Sequence, residues 1–156
     1  MSQLAFLSAH EADAPSVSPL RHVESDVFAD VSALGKLEVR GDLETLTDEA
    51  IVIGPRRALV VTGGDVRETR DRLIRQGFRV YDQTAALAAL EIDDERLLRR
   101  LTELDLEALP AAGAIARGVP AVIERRGDGR FRVFVAQELG HYVAEVIADL
   151  AVGLRS

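Results

Sequence analysis

Hydrophobic and polar positions alternate along several short stretches of the chain, a pattern typical of β-strands. Residues 35–41 alternate between two bounding glycines, which predicts a half-buried strand. The sequence Arg126-Gly127-Asp128-Gly129 predicts a hairpin turn between two such stretches. Alternation and short apolar runs predict the remaining strands over residues 50–53, 58–62, 78–81, 85–92, 120–124 and 130–135.

Three other segments are predicted to be helices. The first follows Asp65, whose carboxylate is a natural acceptor for the free N–H groups of a first turn, and ends near Gly77. The second begins after residues 93–95, and the third runs over about 137–150 with apolar positions at helical spacing. The predicted buried stripe of the first helix consists of Val66, Leu73 and Ile74.

The predicted order mixes strands and helices without regular alternation, which indicates an α+β fold with helices packed on a mostly antiparallel sheet. A short internal similarity indicates a duplication. Residues 30–34 precede the segment 37–39, and the similar residues 82–86 precede the similar segment 90–92. We call 30–34 and 82–86 the echo segments. We therefore predict a flexible tail over 1–25 and a single domain over 26–156. The domain would consist of two similar halves, about 26–79 and 80–156.

Composition limits the possible classes of protein. The chain has 156 residues, 47% of them hydrophobic, which suits one domain with a substantial core. No stretch approaches the roughly 20 apolar residues of a membrane span, and the first residues lack the basic start of a signal peptide. Cysteine is absent, which excludes disulfides, thiolate metal sites and a cysteine nucleophile. We expect a cytoplasmic protein that binds no membrane.

The charge is unevenly distributed along the chain. Net charge is −7, and residues 1–50 account for all of it, because acidic and basic residues balance over 51–156. A nucleic-acid binder needs a basic face, so we expect no nucleic-acid partner. All basic residues except Lys36 are arginine, whose planar fork suits protein interfaces. Candidates for a partner interface are Arg67, Arg70, Arg96 and Arg100, although interleaved acids also fit a solvated helix face.

Candidate metal ligands are sparse. Glu138, His141 and Glu145 have the spacing of one helix face. Zinc requires three or four converging ligands, and two carboxylates with one histidine are common on a solvated face. We therefore predict no metal site.

Other polar motifs are better explained by local structure. Residues 62–65 lie between a strand and a helix, but they lack a glycine-rich phosphate-binding pattern and its lysine, which favours a tight turn with a helix cap. Ser32 and Thr84 each follow an aspartate by two residues, a spacing typical of a capped turn. No catalytic constellation is visible, which favours a binding or structural role.

Several short motifs occur in the order seen in a known family. Over about residues 18–151 this order resembles the gamma subunit of heterotetrameric sarcosine oxidase, within the superfamily of the glycine-cleavage T-protein (aminomethyltransferase) folate-binding domain. The chain departs from that family at 56–58 and 113–118. The motifs are Ser18-Pro19-Leu20, Gly54-Pro55, Val80-Tyr81-Asp82-Gln83-Thr84, Leu104-Asp105-Leu106 before Pro110 and Gly113, the strand over 131–135, and His141-Tyr142.

The resemblance implies a duplicated α+β domain and a small accessory chain, without catalytic residues of its own, that docks on a large alpha subunit. In such complexes the alpha, beta and delta subunits are the partners, and FAD, FMN, NAD and tetrahydrofolate are bound by them. The complex oxidatively demethylates sarcosine or a related N-methyl amino acid. No folate-binding carboxylate of the T-protein can be matched to this sequence. Alternatives are a free-standing tetrahydrofolate-binding aminomethyltransferase-like domain and an unrelated α+β domain, either monomeric or homo-oligomeric.

Overall fold

The computed structural model describes residues 18–23 and 25–156, which form nine strands and three α-helices. The strands are β1 (Ala29–Asp30), β2 (Gly35–Arg40), β3 (Ile51–Gly54), β4 (Arg57–Thr62), β5 (Arg79–Asp82), β6 (Leu87–Ile92), β7 (Ala111–Ile115), β8 (Val119–Arg125) and β9 (Phe131–Ala136). The helices are α1 (Val66–Arg75), α2 (Glu95–Leu101) and α3 (Gly140–Arg155). The seven predicted strands are present. The additional strands are β1, which has only two residues, and β7, which is made mostly of Ala and Gly and has little hydrophobic contrast.

The strands form two antiparallel sheets rather than one. The five-stranded sheet has the order β1-β6-β9-β8-β7, and the four-stranded sheet has the order β3-β4-β2-β5. Helix α1 packs on the four-stranded sheet, and α2 and α3 contact each other on the outer face of the five-stranded sheet. The fold is therefore mixed α+β, with the two sheets between two outer helical layers. None of the helices in the described part of the chain is long and apolar enough to span a bilayer.

An apolar layer joins the two sheets. Its buried members are Ile51 and Leu59 from the four-stranded sheet and Ala89 and Phe134 from the five-stranded sheet. Strand β2 was predicted to be half-buried, but its first five residues are buried on both faces. The predicted alternation is present in β2, but the five-stranded sheet covers the face of β2 that carries its polar side chains.

Side-chain caps define the start of α1 and α2, as predicted. The carboxylate of Asp65 accepts a hydrogen bond from the N–H of Glu68, and Asp94 caps α2 in the same way. One position of the predicted stripe is wrong: Ile74 is 50% exposed, because α1 buries only a narrow face around Leu73. Helix α3 also extends five residues beyond its predicted end.

The ordered packing begins within the range predicted as a tail. Leu20 is only 1% exposed and belongs to the core under α3. Gly140 allows this close approach, since a Cβ there would lie 2.8 Å from the Cβ of Ala88 and 3.3 Å from Leu20. The Ser18 hydroxyl donates a hydrogen bond to Asp30. The rest of the predicted tail, residues 1–17 and 24, lies outside the described residues.

The two echo segments make matching contacts across the molecule. Strand β1 pairs with β6, and β5 pairs with β2, so each segment contacts the strand that follows the other one. Ser32 Oγ accepts a hydrogen bond from the N–H of Ala89 at 3.0 Å, and Thr84 Oγ1 accepts one from the N–H of Lys36 at 3.1 Å. The predicted capped turns are present, because Asp30 accepts a hydrogen bond from the N–H of Ser32 at 3.0 Å and Asp82 accepts one from the N–H of Thr84 at 2.9 Å. The two hydroxyls additionally connect the two sheets.

Replacing Ser32 with alanine tests this connection. Ser32 is 4% exposed, and its loss would leave the buried N–H of Ala89 without that acceptor. We expect the free energy of unfolding to fall by about 2 kcal/mol, as measured by urea denaturation. The matched control is Ser156→Ala at the exposed end of α3, which should change stability by less than about 0.5 kcal/mol. Equal effects for both variants would contradict the assigned role of Ser32.

Candidate functional site

The four arginines predicted to form a partner interface lie on opposite outer layers. Arg67 and Arg70 are exposed on α1, whereas Arg96 and Arg100 are exposed on α2. The two sheets separate these helices, so the four side chains do not form one site. Each pair would have to contact a partner separately.

The two candidate arginines on α2, Arg96 and Arg100, make different contacts. Arg96 bonds back to Asp94, with its Nη2 3.0 Å from Oδ2, and so closes the cap of its own helix. Arg100 instead lines an open groove of about 720 Å³ at the end of α2. Other residues lining this groove are Arg99, Thr102, Leu104, Ile115 and Arg117.

A strained turn forms one wall of the α2 groove. Ala116 and Arg117 have φ angles of 44° and 65°, in the left-handed region that favours glycine. The N–H of Gly118 donates to the carbonyl of Ile115 at 3.0 Å and closes the turn. Ala116 is held there because its N–H donates to the carbonyl of Leu101 at 2.9 Å. The groove therefore has a fixed wall that presents Arg117 to solvent.

Lys36 is a buried cation that the sequence analysis did not single out. It is 0% exposed, and its Nζ donates to the carbonyl of Ser32 at 2.6 Å. Burial lowers the pKa of Lys36 to about 8, while the charges of Asp30 and Asp82 act in the opposite direction. Its only sequence signal is that it is the sole lysine among nineteen basic residues. Lys36 lies where the two echo segments meet.

A row of alternating charges crosses the five-stranded sheet on its inner face. Arg132 lies between two carboxylates, with Nε 3.1 Å from Glu91 and Nη1 3.3 Å from Glu124. Burial raises the pKa of Glu124 despite the nearby Arg132 and Arg126. Arg132 is thus paired with a carboxylate on each neighbouring strand.

A small cleft lies between the two sheets beside this row. Its volume is about 110 Å³, and Glu49, Leu59, Glu124 and Arg126 are among its lining residues. The Nε of Arg126 is buried there without a hydrogen-bond partner in the structure. The cleft is small compared with ligand pockets, which occupy about 300–1,000 Å³. It could accept only a small polar group.

A cluster of arginines lies at one end of the four-stranded sheet. Arg40 on β2 is directly opposite Arg57 on one side and Arg79 on the other. Arg56 lies beside them, and Glu38 is the carboxylate that bonds to both Arg40 and Arg57, at 2.6 and 3.0 Å. We call Arg40, Arg56, Arg57 and Arg79 the arginine row. The sequence analysis noted 56–58 only as a departure from the resembled family.

The described histidines are not arranged for catalysis or metal binding. His141 pairs with Glu145 at 3.1 Å on the exposed face of α3, and His22 accepts a hydrogen bond from Arg21. Among residues 18–23 and 25–156, no group of three potential ligands is placed to hold a metal ion. His10 lies outside the described residues.

Comparison with solved structures finds similar folds among known proteins. The fold is similar to that of a chain from the heterotetrameric sarcosine oxidase of Corynebacterium sp. U-96, solved in complex with pyrrole 2-carboxylate, with a TM-score of 0.62. The similarity is one of fold. Sequence identity is 13%, and the alignment covers 86% of this chain and 95% of the other. No family model and no curated protein sequence matches the chain.

Proposed function

We propose that this chain is the gamma-type accessory subunit of a heterotetrameric sarcosine oxidase-like flavoenzyme complex. One observation carries the proposal: the structural alignment covers nearly all of both chains. The matched chain of the sarcosine oxidase is therefore similar in length to this one, and the match is not to one domain of a larger subunit. The complex would act in the cytoplasm and oxidatively demethylate sarcosine or a related N-methyl amino acid.

Within this complex the chain would have a structural role. A large alpha subunit would be its main partner, together with beta and delta subunits, and those partners would bind FAD, FMN, NAD and tetrahydrofolate. The charge pairing of the described residues supports this division. Arg132 is held between two carboxylates, and His141 is paired on the surface with Glu145, so neither is poised to act on a substrate.

We also infer that the domain is a duplication in which the two halves exchange their first strands. In this correspondence, β1, β2, β4 and α1 of the first half match β5, β6, β9 and α3 of the second half, in the same order along the chain. Strand β1 pairs with β6, whereas β5 pairs with β2. The matched hydroxyl contacts of Ser32 and Thr84 support the same correspondence. Such an exchange would make each half depend on the other for its sheet.

The structure gives the folate-binding alternative less support. The inter-sheet cleft has a buried carboxylate, Glu124, but its volume of about 110 Å³ is below that of ordinary ligand pockets. Glu124 is also already bonded to Arg132 at 3.3 Å. A pterin ring would have to displace both Glu124 and the apolar side chains that join the sheets.

Co-purification tests the proposed function. The full-length chain, carrying a tag, is expressed in its native cells and recovered under mild conditions. We expect flavin absorbance in the eluate, together with a much larger chain identified by mass spectrometry as a flavin-dependent amine oxidase. We also expect sarcosine-dependent or N-methyl amino acid-dependent production of hydrogen peroxide.

The control is the same tag on an unrelated protein of similar charge. A colourless chain that elutes alone, from cells shown to contain the candidate oxidase, would contradict the proposal. In that case, tetrahydrofolate binding by the isolated chain would be measured by calorimetry to test the alternative.

A further inference from the structure

We propose that the arginine row binds a carboxylate-rich segment of a partner protein. This inference rests on the proposed function insofar as the partner is a subunit of the complex. It names the surface of this chain that makes the contact and the chemistry of the segment that the surface recognises. The candidate interface on α1 and α2 does not include this surface.

The register of the strands brings like charges together. Arg40 is directly opposite Arg57 on β4 and Arg79 on β5, so three guanidinium groups follow one another across three adjacent strands. Neighbouring strands lie about 4.8 Å apart. Like charges directly opposite each other destabilise a sheet. The arrangement therefore weakens the isolated domain unless an anion from outside offsets the repulsion.

The internal compensation is incomplete. Glu38 is the one carboxylate bonded to the row within the described residues, and its side chain is only 10% exposed. Burial acts to raise the pKa of Glu38, but the hydrogen bonds and charges of Arg57 and Arg40 outweigh it and keep the pKa below its usual value. Both arginines bond to the same oxygen of Glu38, Oε1, so this one carboxylate is shared between two guanidinium groups. The backbones of Arg56 and Arg79 are hydrogen-bonded, but their guanidinium groups have no hydrogen bond or ion pair within the described residues.

The surroundings of the row are open and partly shaped. The four arginines and two glycines line a depression of about 440 Å³. Tyr81 on β5 is 41% exposed, and the guanidinium carbon of Arg40 lies 4.7 Å from the centre of its ring. Strand β5 is at the edge of its sheet, so no other strand of the described chain pairs with its outer side. A segment lying across the depression from this edge would place carboxylates within reach of Arg79 and Arg56.

The distribution of charge favours a short acidic segment over a nucleic acid. The chain carries a net charge of −7, and the depression lined by the arginine row is small. A nucleic acid would extend beyond the patch over acidic surface, whereas a few carboxylates match its size. Guanidinium groups also bind carboxylates with two parallel hydrogen bonds, which gives such a contact direction.

The first test is direct binding of a fluorescently labelled hexaglutamate peptide to the full-length chain, followed by anisotropy at low ionic strength. The test variant is Arg56→Glu with Arg79→Glu, which leaves the Arg40–Glu38–Arg57 pairing intact. The control variant is Arg100→Glu with Arg117→Glu, which makes the same change of charge at the α2 groove. We expect the first double variant to bind at least tenfold more weakly and the control to stay within twofold of the wild type.

The outcomes separate this inference from the proposed function. Equal loss in both double variants would show a general charge effect and overturn the inference, as would tighter binding of a thymidine hexanucleotide than of hexaglutamate. In co-purification, capture of the oxidase by the wild-type chain and equally by Arg56→Glu/Arg79→Glu would overturn the inference but leave the proposed function standing. If the wild-type chain captures no oxidase, the proposed function fails, and the peptide assay alone decides the inference.

Discussion

Replacing Phe134 with alanine is expected to lower the free energy of unfolding by about 4 kcal/mol. Phe134 is 1% exposed in the centre of β9, and it packs in the layer between the two sheets with Ile51, Leu59 and Ala89. Truncation removes the largest apolar side chain of this layer and leaves a cavity that the strands cannot close. The loss is a large part of the roughly 5–15 kcal/mol that stabilises an ordinary domain.

Urea denaturation followed by circular dichroism measures this effect. Phe134→Leu is the graded variant and should retain at least half of the lost stability, because it keeps apolar volume in the layer. Val152→Ala is the control, since Val152 is 64% exposed on α3 and should contribute less than about 0.5 kcal/mol. If Phe134→Ala lowers stability no more than the control, the two sheets do not share a core.

The stability of the protein is expected to rise with pH between about 8 and 10.5 because of Lys36. Its folded-state pKa is lowered to about 8 by burial, whereas an unfolded lysine titrates near 10.5. Between these values the unfolded chain binds one more proton than the folded chain, so raising the pH favours the folded state. Below pH 8 the full cost of burying the charged ammonium is present. The gain across this window is about 3 kcal/mol.

Lys36→Met isolates this contribution, because methionine fills similar space without a charge. The free energy of unfolding of both proteins is measured by urea denaturation from pH 7 to 10.5. The rest of the sequence is the same in both proteins, so the difference between the two curves reports on Lys36. We expect the wild type to gain stability relative to Lys36→Met as the pH rises.

A direct titration is also available, because Lys36 is the only lysine of the chain. Lysine labelled with carbon-13 at the ε position should give one side-chain resonance, which we expect to titrate near pH 8 when a lysine-free tag is used. A resonance that titrates near 10.5, with parallel stability curves for the two proteins, would contradict the prediction.

The local elements of this fold could be predicted from the sequence because their causes are local. The caps at Asp65 and Asp94 and the hairpin at 126–129 each depend on side chains within a few residues. Strand β7 could not be predicted in the same way, since alanine and glycine give no contrast between its faces. Ile74 has the expected helical spacing, but spacing does not reveal how wide a face the sheet covers.

The charged sites depend on contacts between distant parts of the chain. In sequence, β3 separates Arg40 from Arg57 and α1 separates Arg57 from Arg79, and only the strand register aligns the three residues. The predicted interface arginines Arg67, Arg70, Arg96 and Arg100 are correctly placed on helices, but the stacked sheets keep the two pairs apart. Helical position depends on local periodicity, whereas the grouping of charges depends on which strands pair.

The sequence by itself determined the α+β class, the order of most elements and the echo around residues 30 and 82. Tertiary structure alone decided that there are two sheets, that the polar face of β2 is covered and that Lys36 is buried at the crossing of the echo segments. The physical reason is that alternation shows which residues share a face of a strand, but not which other element packs on that face. Contacts between residues some fifty positions apart, such as Ser32 with Ala89, determine which elements pack together.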